Sequence, residues 1–155
     1  MSSTPVAPSP IRAHAAPVPA AVSQHRGAVA RWALASGRPA HRDALAAIIG
    51  EHAEQLGPDL VIDEPTEWTV EHIGELLWGG ISSWCVDRYA HVPAPGDVSR
   101  TLDTYLRYLS ANRLLAKGSD PVAALRRAIA DYGGGRSQMH PAVRHRRLAP
   151  VVPIG

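Results

Sequence analysis

Apolar residues recur every three or four positions through most of the chain between residues 24 and 132, the spacing that places side chains on one face of an α-helix. Turn-forming residues divide this stretch at 37–39 (GRP), 57–58 (GP), 91–96 (HVPAPG) and 117–118 (KG). The pattern predicts an all-α fold, a small bundle of about five helices in which short connectors make neighbouring helices antiparallel.

The first two predicted helices are separated by the turn at 37–39. In the first, residues 24–35, Ser23 is the expected N-cap, and the inward positions are Val29, Trp32 and Ala33. The second carries a longer apolar stripe, made of Leu45, Ile48, Ile49, His52 and Leu56. We expect Asp43, Glu51 and Glu54 to lie on its other faces, and His52 to be a partly buried, hydrogen-bonded core residue.

A third helical stripe runs from about residue 70 to residue 89. Thr69 has the side chain of an N-cap, and Glu71 follows in the first turn, where a carboxylate interacts favourably with the helix dipole. Gly79-Gly80 interrupts the stripe, which predicts a kink or two shorter helices. The inward positions are Ile73, Leu76, Leu77, Ile81, Trp84 and Cys85.

The last two predicted helices follow the HVPAPG turn. Asp97 is the expected N-cap of a helix at 98–116, and Ser119 that of a helix at 120–132. Their inward positions are Val98, Leu102, Tyr105, Leu106, Leu109 and Leu114, then Val122, Leu125 and Ile129. We interpret this pair as an αα-hairpin.

Charge is distributed very unevenly along the chain. All fourteen carboxylates lie between Asp43 and Asp131, against seven basic side chains, a net charge of −7, whereas both ends carry arginines and no acid. This distribution predicts three parts: a Pro/Ala-rich N-terminal arm at 1–22, a helical domain at 23–133 and a basic Gly/Pro-containing C-terminal tail at 134–155. The arms are too poor in large apolar residues to fold alone, so we expect them to be disordered or ordered by a partner.

Two kinds of residue are candidates for binding a partner protein. Tryptophan at a surface is a good interface anchor, and Trp78 and Trp84 are six residues apart, so a helix directs them to different faces. The apolar segment 148–154 (LAPVVPI) is suited to docking as an added strand or in a groove. The predicted partner-binding residues are Trp78, Trp84, Arg144, Arg146, Arg147, Val151, Val152 and Ile154.

The leading hypothesis is therefore a non-enzymatic adaptor or accessory protein, with a helical domain and tails that dock on a protein partner. The alternative is a nucleic-acid-associated protein whose basic arms contact phosphates. The acidic middle of the chain disfavours this alternative, as does the tail, which has four arginines and no aromatic residue for base stacking. A helix-turn-helix at 98–132 is disfavoured because Asp120 and Asp131 accompany Arg126 and Arg127.

Candidate chemistry is sparse. Cys85, with Asp87 and His91 nearby in sequence, is an alternative nucleophile, but its place on an apolar stripe favours a buried, inert thiol. A ligand pocket lined by Trp68, Trp78, Trp84 and Tyr89 is a further alternative. The eight histidines have no metal-ligand spacing, so we expect no cofactor and no enzyme activity. A single cysteine and the lack of a secretory or membrane-spanning segment predict a soluble, cytoplasmic protein.

Four short motifs lie between Trp68 and Ala130. They are WTVEHIGELLW at 68–78, VPAPGDV at 92–98, LDTYLRYL at 102–109 and LRRAI at 125–129. Together they resemble a helical segment found in uncharacterised actinobacterial proteins. The resemblance covers under half the chain, consists mostly of packing motifs, and implies a bacterial, cytoplasmic, all-α protein with no catalytic residues to carry over.

Overall fold

A computed structural model describes residues 20–58, 60–61 and 64–133. Its helices are α1 (Ala20–Ala35), α2 (Arg42–Leu56), α3 (Val70–Glu75), a π-helical turn (Leu76–Gly80), α4 (Ile81–Asp87), α5 (Pro95–Ala111) and α6 (Val122–Gly133). Because α3, the π-helical turn and α4 run on from one another, these elements form five helical units. The predicted all-α bundle is confirmed for the described part of the chain, where the one β-pairing is an isolated parallel bridge between Thr66 and Leu115.

Helix α5 is the centre of the bundle. It packs against α1, α2 and α6, and its amphipathic pattern brings one continuous apolar face to these neighbours. The predicted stripe is buried almost throughout: Val98, Leu102, Tyr105, Leu106 and Leu109 are each at most 5% exposed. Burial of each large aliphatic side chain contributes about 1.5–3 kcal/mol relative to exposure, so this face accounts for much of the stability of the domain.

A set of hydrogen bonds between residues 66–70 and 114–120, here called the connector ladder, joins the segment that leads into α3 to the connector before α6. Thr66 donates from its N–H to the Leu114 carbonyl at 3.0 Å, and the Ala116 N–H donates to the Thr66 carbonyl at 2.9 Å. Further along, the Asp120 N–H donates to the Trp68 carbonyl at 2.9 Å. The ladder fixes the connector before α3 against the connector before α6.

Two side chains of the connector ladder correct the predicted start of the last helix. The Ser119 hydroxyl accepts from the Trp68 N–H at 3.0 Å, and the Asp120 carboxylate accepts from the Val70 N–H at 2.7 Å. Ser119 therefore does not cap its own helix, and α6 begins at Val122. The Ser119 hydroxyl is instead bound by Trp68, which lies 51 positions away in sequence. A local sequence pattern does not reveal such a distant partner.

Other helix ends also differ from the prediction. Helix α1 begins at Ala20, so Ser23 lies inside it. Helix α5 begins at Pro95 after the extended residue Ala94, which leaves Asp97 in the first turn instead of at the N-cap. The same helix ends at Ala111, five residues early, because Arg113 adopts a left-handed φ of 57° and the following residues enter the connector ladder.

One predicted surface position is buried. Glu51 was expected on an outer face of α2, yet it is only 1% exposed, whereas Asp43 and Glu54 are exposed as predicted. The reason is that α2 packs against α1, α4 and α5, so more than one of its faces is covered. The predicted burial of Leu45, Ile48, Ile49 and His52 is confirmed.

Asp103 links the two helices of the C-terminal hairpin. Its carboxylate accepts from Arg107 Nε at 2.9 Å on α5 and from Arg126 Nε at 2.7 Å on α6. Partial burial acts to raise the pKa of Asp103, but the hydrogen bonds from Arg126 and Arg107 outweigh it and hold that pKa below its ordinary value. Arg126 is thus committed to an intramolecular pair, as expected of an αα-hairpin.

Candidate functional site

The π-helical turn breaks the third helical unit where the glycine pair predicted a kink. Trp78 has φ −90° and ψ 22°, and Gly79 has φ 124°, a region that L side chains rarely adopt. The capping box before it is also in place, with the Thr69 hydroxyl accepting from the His72 N–H at 3.2 Å. Trp78 therefore lies where two helices meet at a kink, which directs attention to the surface around it.

Beside the kink lies a cleft of about 300 Å³, here called the groove. Its first wall comes from the kink and the start of α4, with Leu76, Leu77, Trp78 and Ile81. Leu76 is fully buried and Trp78 is half-buried. This wall exists because the kink turns the helix at Gly79, so that side chains on both sides of it border one cleft.

The second wall of the groove comes from the HVPAPG turn and from the first turn of α5. It consists of Val92, Pro93, Pro95 and Val98. Each of these side chains is aliphatic, and Val92 is 41% exposed at the edge of the groove. The turn therefore supplies an apolar surface as well as a connection between helices.

The end of α6 closes the groove with Tyr132 and Gly133. This part of the site has no local signal in the sequence, since Tyr132 and the turn at 92–95 lie far apart along the chain. The packing of α5 on α6 brings them together. The sequence prediction included Trp78 but missed the prolines and Tyr132.

Two polar atoms in the groove lining have no hydrogen-bond partner among the described residues. They are Trp78 Nε1 and Ser99 Oγ, and both are buried. Leaving a buried donor or acceptor unsatisfied costs about 1–3 kcal/mol, so each such atom calls for an explanation. Apolar walls with a few polar groups are typical of ligand-binding pockets.

Two further exposed apolar side chains lie at the end of α4 and just after it. Ser82 lines the groove, and Val86, one helical turn later on the same face, is 64% exposed. Tyr89 follows with its side chain fully exposed and with a left-handed φ of 53°, which is uncommon for a residue other than glycine.

Trp84, the second predicted anchor, lies apart from the groove. Its ring packs so closely on Gly50 of α2 that a Cβ at that glycine would overlap it. The Arg88 guanidinium lies 4.4 Å from the centre of the indole ring and also pairs with Glu54. The position of Trp84 is explained by packing between α2 and α4.

The alternative ligand pocket, predicted from Trp68, Trp78, Trp84 and Tyr89, does not form. Trp68 is completely buried, and of these four residues only Trp78 lines the groove. The remaining predicted partner-binding residues, Arg144, Arg146, Arg147, Val151, Val152 and Ile154, lie outside the described residues.

A second aromatic cluster lies inside the core around Trp68. The His52 ring stacks on the indole at 3.6 Å between centroids, and His52 Nδ1 and Gln55 Oε1 are 2.9 Å apart. Burial lowers the pKa of His52 to about 4, with a smaller contribution from the neighbouring His72. The predicted buried, hydrogen-bonded histidine is confirmed, and at neutral pH it is uncharged.

Cys85 has the surroundings of a packed thiol. It is 1% exposed, whereas Asp87 and His91 are exposed. Burial raises the pKa of the Cys85 thiol, and the charge of Asp43 adds to this effect while that of Arg88 opposes it. A raised thiol pKa disfavours the thiolate that nucleophilic chemistry requires.

Within the described ranges, no three or more His, Cys, Asp or Glu side chains come together as potential metal ligands. Over the same residues, no helix has the length and apolar character needed to cross a bilayer. Comparison with family models, curated proteins and solved structures finds no match to this chain. The case for function therefore depends on the geometry of the groove.

Proposed function

We propose that this protein is a non-enzymatic adaptor whose groove binds an apolar, extended segment of a partner protein. The observation that carries the proposal is Trp78, a half-buried tryptophan at a helical kink, with an unpartnered Nε1–H in a cleft lined mostly by apolar side chains. Its ring offers a large contact surface, and its buried N–H becomes a donor for one carbonyl group once the side chains that cover it move aside. The terminal arms would then add contacts around this site, in the cytoplasm of a bacterial cell.

The shape of the groove favours an extended segment over a helix. About 300 Å³ is at the low end for ligand pockets and accommodates few side chains. A bound helix requires a longer groove with anchors at i, i+3 or i+4 and i+7. An extended or polyproline II segment leaves its carbonyls without internal hydrogen bonds, so that one of them can accept from Trp78 Nε1 once the covering side chains move aside.

The lining of the groove disfavours phosphate-containing ligands. Among the described residues that line it, none carries a basic side chain, and the stretch from Asp43 to Asp131 has a net charge of −7. Binding to nucleic acid is driven largely by neutralising phosphates with lysine and arginine. A protein segment is therefore the better occupant.

Two valines of similar exposure provide a matched test of the proposal. Val92 is 41% exposed and lines the groove, whereas Val61 is 51% exposed and does not line it. Tagged wild-type protein and the variants Val92→Asp and Val61→Asp are purified from the native host after nuclease treatment. We expect a stoichiometric protein partner with the wild type and with Val61→Asp, and loss of it with Val92→Asp.

Equal recovery of the partner with both variants would contradict the proposal. Co-purified material that nuclease removes, with no protein partner left, would favour the nucleic-acid alternative. Circular dichroism spectra of the two variants serve as the control for folding.

A further inference from the structure

The chain leaves the described domain at the groove. Helix α6 ends at Gly133, and both Gly133 and Tyr132 belong to the groove lining. Residues 134–155 therefore start at the edge of the proposed binding site. We infer that the segment 148–154 of this same chain occupies the groove and that partner segments bind by displacing it.

This inference rests on the proposed function, because it assigns to the same groove an occupant from within the chain. The distance is compatible with it. Segment 148–154 begins 15 residues after Gly133, and a chain of that length without regular structure has an end-to-end distance of about 20 Å. Tethers of this kind give effective concentrations of about 1 mM, so that even weak attraction to the groove leads to substantial occupancy.

The chemistry of the segment fits the groove. Pro150-Val151-Val152-Pro153 places two prolines three residues apart, and polyproline II has three residues per turn, so both rings lie on one edge. Grooves lined by aromatic residues recognise this P-x-x-P pattern, and this groove contains Trp78 and Tyr132. A carbonyl of the segment is an acceptor for the unpartnered Trp78 Nε1–H once the side chains that bury this atom move aside.

Charge supports the same placement. Arg144, Arg146 and Arg147 directly precede the segment and would come to lie near the groove when the segment binds. Glu75 and Asp131 are each adjacent in sequence to a lining residue, and neither takes part in the ion pairs formed between described residues. These two carboxylates are suitable partners for the arginines.

The N-terminal arm is the less suitable occupant. It also contains a P-x-x-P pattern, at 5–8, but it joins α1, and α1 contributes no residue to the groove lining. The arm carries a single arginine, Arg12, and its pattern has one valine, Val6, where the C-terminal pattern has two. These differences make the arm a natural control.

The test compares three full-length chains: wild type, V151D/V152D, and the control V6D/V18D. The first probe is the NMR signal of the Trp78 indole N–H, assigned with Trp78→Phe. We expect this signal at the same position in wild type and V6D/V18D, and at a shifted position in V151D/V152D.

The second probe is a synthetic peptide of residues 144–155. We expect it to bind V151D/V152D about tenfold more tightly than wild type, because the competing tethered segment no longer occupies the groove.

Identical spectra and equal peptide affinities for wild type and V151D/V152D would overturn the inference, as would absence of peptide binding to all three chains. A shift of the indole signal with protein concentration would also overturn it, since the occupant would then come from a second copy. Failure of the proposed function gives a different result from failure of this inference. If the proposed function is wrong, Val92→Asp still retains the partner, whatever the results with V151D/V152D and V6D/V18D.

Discussion

Two tryptophans, Trp68 and Trp78, have indole N–H groups without a hydrogen-bond partner among the described residues, but they differ in burial and in the structure around them. Trp68 is completely buried, lies between the rings of His52 and Tyr105, and is fixed by the connector ladder. Trp78 is half-buried at a kink and borders an open cleft. The same side chain is thus a core residue in one region and a candidate binding residue in the other, and the surrounding backbone decides which.

The largest expected effect comes from removing the core tryptophan. Trp68→Ala leaves a cavity at a fully buried position and should lower the free energy of unfolding by about 3–5 kcal/mol. Trp78→Ala should cost less than half as much, because its ring already contacts solvent. Urea denaturation followed by circular dichroism measures both, and Trp68→Phe provides a milder variant if Trp68→Ala does not fold. Equal losses in the free energy of unfolding for Trp68→Ala and Trp78→Ala would contradict the distinction between a core tryptophan and a groove tryptophan.

The core cluster should also make stability depend on pH. His52 has a pKa of about 4 in the folded protein and an ordinary value of about 6.5 when unfolded. Below pH 6.5 the unfolded chain therefore takes up a proton that the folded chain does not, and stability falls as the pH decreases to about 4. The loss attributable to His52 should be roughly 2–3 kcal/mol.

His52→Gln is the control for that pH dependence. It removes the titrating group beside Trp68, Gln55 and His72, so the decrease in the free energy of unfolding between pH 7 and pH 4.5 should be smaller by that amount. Urea denaturation at the two pH values gives the comparison. If the free energy of unfolding of His52→Gln decreases as much as that of the wild type, other groups cause the pH dependence.

Several features with a local signal were predictable, although the N-caps expected at Ser23 and Asp97 were wrong. The stripe of α2, the Thr69 cap and the break at Gly79 all depend on residues within one or two turns of each other, and each was predicted from spacing alone. The burial of Glu51, the hydrogen bond from Trp68 to Ser119 and the early end of α5 depend on distant segments. The groove belongs to this second group, because Tyr132 meets the turn at 92–95 only in the folded chain.

The backbone at the kink should tolerate side chains poorly. Gly79→Ala adds a Cβ at φ 124°, where the strain alone should cost about 1–3 kcal/mol even though there is open space around it. Gly27→Ala is the matched control, because Gly27 lies within α1 and its new Cβ meets only the end of the Arg31 side chain. That variant should be neutral or stabilising by up to about 1 kcal/mol. Thermal unfolding of both variants tests the difference.

The smallest effect on stability should come from the groove itself. Trp78→Phe removes the unpartnered N–H, which relieves a cost of about 1–3 kcal/mol, but its smaller ring also loses packing contacts. Because the two effects oppose each other, the free energy of unfolding should change by less than about 1 kcal/mol. Affinity of the V151D/V152D chain for the peptide 144–155 should nevertheless fall about fivefold, the equivalent of one hydrogen bond. Isothermal titration calorimetry measures this affinity, and an unchanged value would remove the indole N–H from recognition.

The connector ladder has a consequence for the order of events in folding. It joins segments about 50 residues apart, and closing a loop of that length carries an entropic cost of about 3–4 kcal/mol, about 1.4 kcal/mol more than closing the connector 112–121 between α5 and α6. Helices α5 and α6 are joined by a short connector and can pair early, whereas Trp68 reaches its place only when the long loop closes. We therefore expect the seating of Trp68 to be a late step, and mutations in the ladder to accelerate unfolding more than they slow folding.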